Sequence, residues 1–90
     1  MLKTVSIIVT GKVQGVWYRR YTADKAKELH ITGFVQNMPD DSVYILATGA
    51  AEQLDALVQW CYTGSPKSKV ETVEVKEENL QGFESFEIER

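Results

Sequence analysis

Two adjacent arginines, Arg19 and Arg20, stand out in a chain whose only other arginine is its last residue, Arg90, and whose net charge is −3. They follow the run Gly11-Lys12-Val13-Gln14-Gly15-Val16-Trp17-Tyr18, where strand-like alternation gives way to a helical pattern. Three features of this junction conflict with an ordinary connection. Residues 14–20 contain no Ser, Thr, Asp or Asn to cap the helix that starts near Tyr18. Both arginines fall in or beside its first turn, where the helix dipole is positive and each costs a few tenths of a kcal/mol to about 1 kcal/mol. Gly15 admits backbone angles and close approaches that other residues resist. Free amides, a permissive glycine and misplaced positive charge share one remedy, a bound phosphate or sulfate. A helix starting later, capped by Thr22 with Asp24 in its first turn, removes the anomaly instead. The run is neither a Walker A loop nor a GxGxxG fingerprint.

The second candidate is Asn37, at the end of an apolar run from Ile31. It can serve an anion as a polar neighbour, or it can be a turn residue ahead of Pro39.

The elements that must position these residues are legible in the pattern. Val5, Ile7 and Val9 alternate as in a strand packed on one face, and Gly11 to Gly15 punctuates the chain. Tyr18, Thr22, Ala26 and Leu29 share one face of a helix over 18–29. Ile31–Asn37 and Val43–Ala47 read as strands joined by the turn 38–42, with Pro39 and Asp40 at its centre. Leu54, Leu57, Val58 and Cys61 form the apolar stripe of a second helix after Gly49, stopped by Gly64-Ser65-Pro66. Val70–Val75 is a fourth strand and Phe86–Glu89 a short last one. This order predicts an α+β, ferredoxin-like split βαβ fold with both helices on one face of a mixed, mainly antiparallel sheet. Right-handed crossovers give the strand order 4-1-3-2 and leave the last strand unplaced. The first and second strands then run the same way, two steps apart. The 14–20 loop and Asn37 therefore share one end of the sheet, with backbones on the order of 10 Å apart.

Ninety residues form one domain, 1–90. No apolar run approaches the roughly 18 residues of a spanning helix, and no leader pattern is visible, so no membrane role is expected. A lone cysteine, Cys61, excludes an internal disulfide and a multi-cysteine metal cage and points to the cytoplasm. The sequence pI of about 5.1 argues against nucleic acid as a partner. No metal or other cofactor is expected, and the composition is compatible with a monomer.

At these residues the chain resembles the acylphosphatase family. The family's first motif, Gly-x-Val-Gln-Gly-Val-x-(Phe/Tyr)-Arg, is matched by Gly11, Val13, Gln14, Gly15, Val16, Tyr18 and Arg19. Its second, Gly-(Phe/Tyr)-small-x-Asn-x₃-Gly-x-Val-x₅-Gly, is matched by Gly33, Phe34, Val35, Asn37, Val43 and Gly49. Gly64-Ser65-Pro66, Val70 and Val73 resemble its closing segment. The resemblance implies an enzyme that hydrolyses acyl phosphates to a carboxylate and inorganic phosphate. It implies that the backbone of Gln14, Gly15, Val16, Trp17, Tyr18 and Arg19 cradles the phosphoryl group. Arg19 would clamp its oxygens and Asn37 would orient the attacking water. Such chemistry needs no general acid, because a carboxylate leaves without protonation, and the substrate's own phosphate can accept the water's proton. Positioning and charge stabilisation remain as the protein's share.

The chain departs from the pattern at two places. Asp41 stands where the second motif has glycine; aspartate tolerates a left-handed turn, but Asp40 and Asp41 bring negative charge near the proposed site. His30 sits where a helix-ending glycine is natural and reads as a strained helix end. Among other residues, Cys61 reads as core packing, Trp60 as partly buried, Trp17 as a wall of the site or as packing, and Tyr44 as packing. Arg20 is a flanking charge, and Glu71, Glu74, Glu77 and Glu78 form a solvated strand face. Two other functions fit the same element order. One is a catalytically weak regulatory or ligand-binding relative of the family, for which Asp41 leaves room. The other is an RNA-binding module, which needs strand aromatics and a basic surface that are missing here.

Overall fold

Apolar residues at a period of two in the strands and of 3.6 in the helices set seven elements, described over residues 1–90 in a computed structural model. They are β1 (Leu2–Lys12), α1 (Tyr18–Glu28), β2 (Thr32–Asn37), β3 (Val43–Ala50), α2 (Ala51–Thr63), β4 (Lys69–Glu78) and β5 (Phe86–Glu89). The five strands form one sheet in the order β4-β1-β3-β2-β5. The expected 4-1-3-2 arrangement is present, and the strand left unplaced runs parallel to β2 at its outer edge. All other pairings are antiparallel.

Both helices pack on one face of the sheet, α1 against β2 and β5, α2 against β1, β3 and β4. The inward residues of β1 (Val5, Ile7, Val9), β3 (Val43, Ile45, Ala47) and β2 (Val35) meet Tyr18, Ala23 and Ala26 of α1 and Leu54, Leu57 and Cys61 of α2. Fully burying one such side chain is worth about 1.5–3 kcal/mol, so this layer supplies the main force holding the helices down.

The strands are longer than their apolar patterns. β1 continues through Gly11 to Lys12, where punctuation was expected, because a bulge between Thr10 and Gly11 keeps it paired with β4. Gly11 has φ 122°, and a Cβ there would lie 2.2 Å from the Lys69 carbonyl oxygen, so only glycine passes. β4 reaches Glu78, half-buried, whose carboxylate accepts a bond from the Ser6 hydroxyl (2.7 Å).

β4 and β5 lie at opposite edges, and the chain between them, residues 79–85, crosses the helix-free face. Four inter-strand steps span about 19 Å, within the roughly 23 Å that seven extended residues reach. The crossing is pinned midway. The Gln81 amide donates to the Thr4 hydroxyl (2.9 Å), and the Thr48 hydroxyl donates to the Gln81 carbonyl (2.8 Å). Phe83 packs edge-on against Phe34, which also meets Tyr44, so Tyr44 is packed as its alternation suggested.

The turns follow their residues. Asp41 donates its amide to the Met38 carbonyl (3.1 Å) around Pro39 and Asp40, and it takes the left-handed conformation (φ 73°) where the motif has glycine. His30 does the same at the end of α1 (φ 59°), with the Ile31 amide reaching back to the Ala26 carbonyl (2.8 Å) in a Schellman arrangement. Gly64 closes α2, its amide donating to the Trp60 carbonyl (2.8 Å).

Candidate active site

The start of α1 is bare. Its N-cap is Trp17, in the left-handed conformation (φ 65°, ψ 17°), with no side-chain capping bond and no acidic residue in the first turn. Thr22 is not the cap: it is fully buried within the helix, and its hydroxyl donates back to the Tyr18 carbonyl (2.8 Å). A helix starting later, which would have explained the two arginines without a ligand, is therefore excluded. Bonds made by turn and cap amides begin at Tyr21, which donates to the Trp17 carbonyl (3.1 Å). The amides from Gln14 to Arg20 have no acceptor in the protein. Gly15 is also left-handed (φ 74°). Left-handed residues at 15 and 17 are the backbone conformations from which anion-binding nests of N–H groups are built.

This loop forms one wall of a cavity of about 430 Å³, lined by Val13, Gly15, Trp17, Tyr18, Arg19, Arg20, Asn37 and Ile88. The structure thus brings Arg19 and Asn37 together with the loop, as the topology predicted. Gln14 and Val16 of the expected cradle do not line the cavity with their side chains. Val16 turns into the core, and Gln14 donates from Nε2 to the carbonyls of Met38 (2.9 Å) and Ser42 (2.8 Å). Gln14 is thereby a tether between the loop and the β2–β3 turn that carries Asn37. Tyr18 faces inward as well: its hydroxyl donates to the Cys61 carbonyl (2.9 Å), and its ring packs on Trp60. Trp17, 73% exposed, stands at the cavity wall and not in the core.

Arg19 is held from the far end of the chain. Its Nη1 donates to the Glu89 carbonyl (2.9 Å), because β5 runs parallel to β2 and ends beside Asn37. Ile88 and Glu89 are the site residues that sequence reasoning missed. Their only signal was a short alternating strand whose place in the sheet was unknown. Arg20 also reaches the cavity wall, with a loose ion pair to Asp24 at 3.6 Å.

Asn37 carries the sharpest signal. Its Oδ1 is sealed from solvent and has no hydrogen-bond partner. An orphaned buried acceptor costs about 1–3 kcal/mol and calls for an explanation. Asp40 and Asp41, which threatened to bring negative charge, line no part of the cavity. Asp40 turns to Ser42, whose hydroxyl and amide hold its carboxyl below the ordinary value of 3.8. Cys61 is fully buried, and desolvation pushes its thiol up to about 12, which makes it packing and not a nucleophile.

A ferredoxin-like α+β protein with a cavity at one end of its sheet, walled by a loop of free amides, two arginines and an asparagine, is the class that these features define. Residues 5–88 match the family model Acylphosphatase. A relative from Methylococcus capsulatus named Acylphosphatase is 46% identical over 90 residues, covering 99% of this chain and 98% of its own. Among solved structures, an acylphosphatase from Bacillus subtilis superposes with a TM-score of 0.95 at 38% identity, with 100% of both chains covered. One from Coxiella burnetii gives 0.95 at 31% identity, covering 98% of this chain and 93% of that one. The chain belongs to the acylphosphatase family, and its activity is the family's hydrolysis of acyl phosphates.

Proposed function

We propose that the hydrolysis runs at the cavity beside α1, by water attack on a phosphoryl group held by the amides of residues 14–19 and by Arg19, with Asn37 orienting the water. The orphaned Oδ1 of Asn37 carries this reading. Asn37 lines the cavity, and a turn of its side-chain amide brings this unpaired acceptor to the cavity surface, where it can take one O–H of a water aimed at phosphorus. Attack breaks the phosphorus–oxygen bond of the anhydride, and its electron pair leaves on the carboxylate. The water's proton passes to a non-bridging phosphoryl oxygen, giving a carboxylate and inorganic phosphate. The bond from Arg19 to Glu89 fixes the guanidinium before substrate arrives, so little reorganisation is left to the reaction. At an effective dielectric near 20, one full charge at about 4 Å is worth roughly 4 kcal/mol, of which only the part gained in the transition state raises turnover.

The same reading takes in a single domain over residues 1–90, acting as a cytoplasmic monomer without nucleic acid as a partner. The continuous core, the acidic charge and the buried, unpaired Cys61 support it. No helix is long and apolar enough to cross a membrane.

Asn37→Ala tests the separate role of the amide. It is expected to lower turnover of benzoyl phosphate by about 10²–10³-fold while inorganic phosphate still binds with near-normal affinity. Equal loss of phosphate binding in Asn37→Ala and Arg19→Ala would remove that role.

A further inference from the structure

Ser65 lies 49 positions beyond Val16, in the turn after α2, yet its buried hydroxyl donates to the Val16 carbonyl at 2.7 Å. We propose that Ser65 is a positioning residue for the phosphoryl cradle, holding the Val16–Trp17 peptide so that the Trp17 amide faces the cavity.

The argument is one of peptide geometry. A trans peptide is planar, with its carbonyl and its N–H pointing opposite ways. The Val16 carbonyl is drawn into the interior by Ser65, which is 2% exposed. The N–H of the same unit, that of Trp17, is therefore directed outward, on the side where Trp17 lines the cavity. This orientation is not the backbone's own preference. Trp17 has φ 65°, a strained value for a bulky residue. Rotating the Val16–Trp17 peptide would carry φ of Trp17 to a negative, relaxed value and turn its N–H away from the cavity. The loop thus has two states, and the Ser65 hydroxyl stabilises the strained one. Ser65 is itself fixed. Its carbonyl accepts from both the amide (3.0 Å) and the hydroxyl (2.7 Å) of Ser68, and Gly64 leaves no room for a Cβ, which would stand 2.9 Å from the Tyr18 ring.

This inference rests on the cradle reading above, and its test separates the two. In the unaltered protein, inorganic phosphate titrated into a ¹⁵N-labelled sample should shift the amides of residues 14–19, Trp17 among them. No response in any of them would sink the cradle itself. With the cradle responding, Ser65→Ala should abolish the Trp17 response and lower kcat/KM by about 10²-fold, the loss typical of one preorganised donor. Ser65→Thr, which keeps the hydroxyl, should restore both. Should Ser65→Ala fail to fold, Ser65→Cys, of similar volume but a much weaker donor, carries the same expectation. Thr48→Val removes a buried hydroxyl bond at the other end of the sheet and should lower the melting temperature without moving Trp17 or kcat/KM. The proposal is overturned if Ser65→Ala keeps the Trp17 response with near-normal kcat/KM, or if Thr48→Val reproduces its loss.

Discussion

Arg19→Lys keeps the charge and changes only its shape, so it isolates what the guanidinium fork contributes. In the structure one arm of the fork, Nη1, is committed to the Glu89 carbonyl at 2.9 Å. The rest of the planar group remains free for the cavity. A lysine has a single nitrogen, which must either satisfy the Glu89 carbonyl or approach the phosphoryl oxygens. If it holds the carbonyl, its charge retreats from about 4 Å to about 6 Å, and near a dielectric of 20 this forfeits roughly 1.4 kcal/mol. The loss of one charge-assisted hydrogen bond adds about 1.5–3 kcal/mol. Together these give about 3–4.5 kcal/mol, or roughly 10²–10³ in kcat/KM. Arg19→Ala, which removes the charge as well, should leave no measurable turnover. The assay is the fall in ultraviolet absorbance as benzoyl phosphate is hydrolysed, with inorganic phosphate as competitive inhibitor. Phosphate inhibition should weaken in both variants. Arg19→Lys within about threefold of the unaltered enzyme would refute the reasoning, because a point charge would then suffice.

Two stability measurements probe the frame that holds the site. His30→Gly relieves a left-handed histidine at the Schellman position and should stabilise the fold by up to about 1 kcal/mol, raising Tm by roughly 4–8 °C; a fall in Tm would show that the His30 side chain makes a compensating contact. Alkaline pH should weaken the fold through Cys61, whose thiol rises from 9.0 to about 12 by burial, and through Tyr18, which burial also raises. A raised acid contributes stability that is fully present below its unfolded value and lost as pH climbs through its folded one. Urea unfolding should therefore give a constant free energy up to about pH 9 and a declining one towards pH 12, with a shallower decline in Cys61→Ala; a flat profile would contradict the burial of these groups.

Most of the secondary structure was written in local periodicity, because each strand and helix buries one face and repeats accordingly. Phe86–Glu89 was legible residue for residue, as were the turn around Pro39 and Asp40 and the left-handed strain at Asp41 and His30. Strand ends were not, since β1 and β4 extend by backbone pairing across a bulge at Gly11, and pairing leaves no apolar signature.

The site divides along the same line. The expectation of an anion site could be read from residues 14–20, because missing caps and misplaced arginines are local conflicts that a sequence displays openly. The handedness of parallel connections then carried Asn37 to the same end of the sheet. Only the tertiary structure decided what grips these groups. β5 pairs at the far edge and brings the Glu89 carbonyl to Arg19, the Gln14 side chain ties the loop to the β2–β3 turn, and Ser65 reaches the Val16 carbonyl from the turn after α2. These contacts join residues 24 to 70 positions apart through single backbone carbonyls, and every residue has a carbonyl. The acceptor is therefore chosen by where the chain passes, which the folded sheet alone determines.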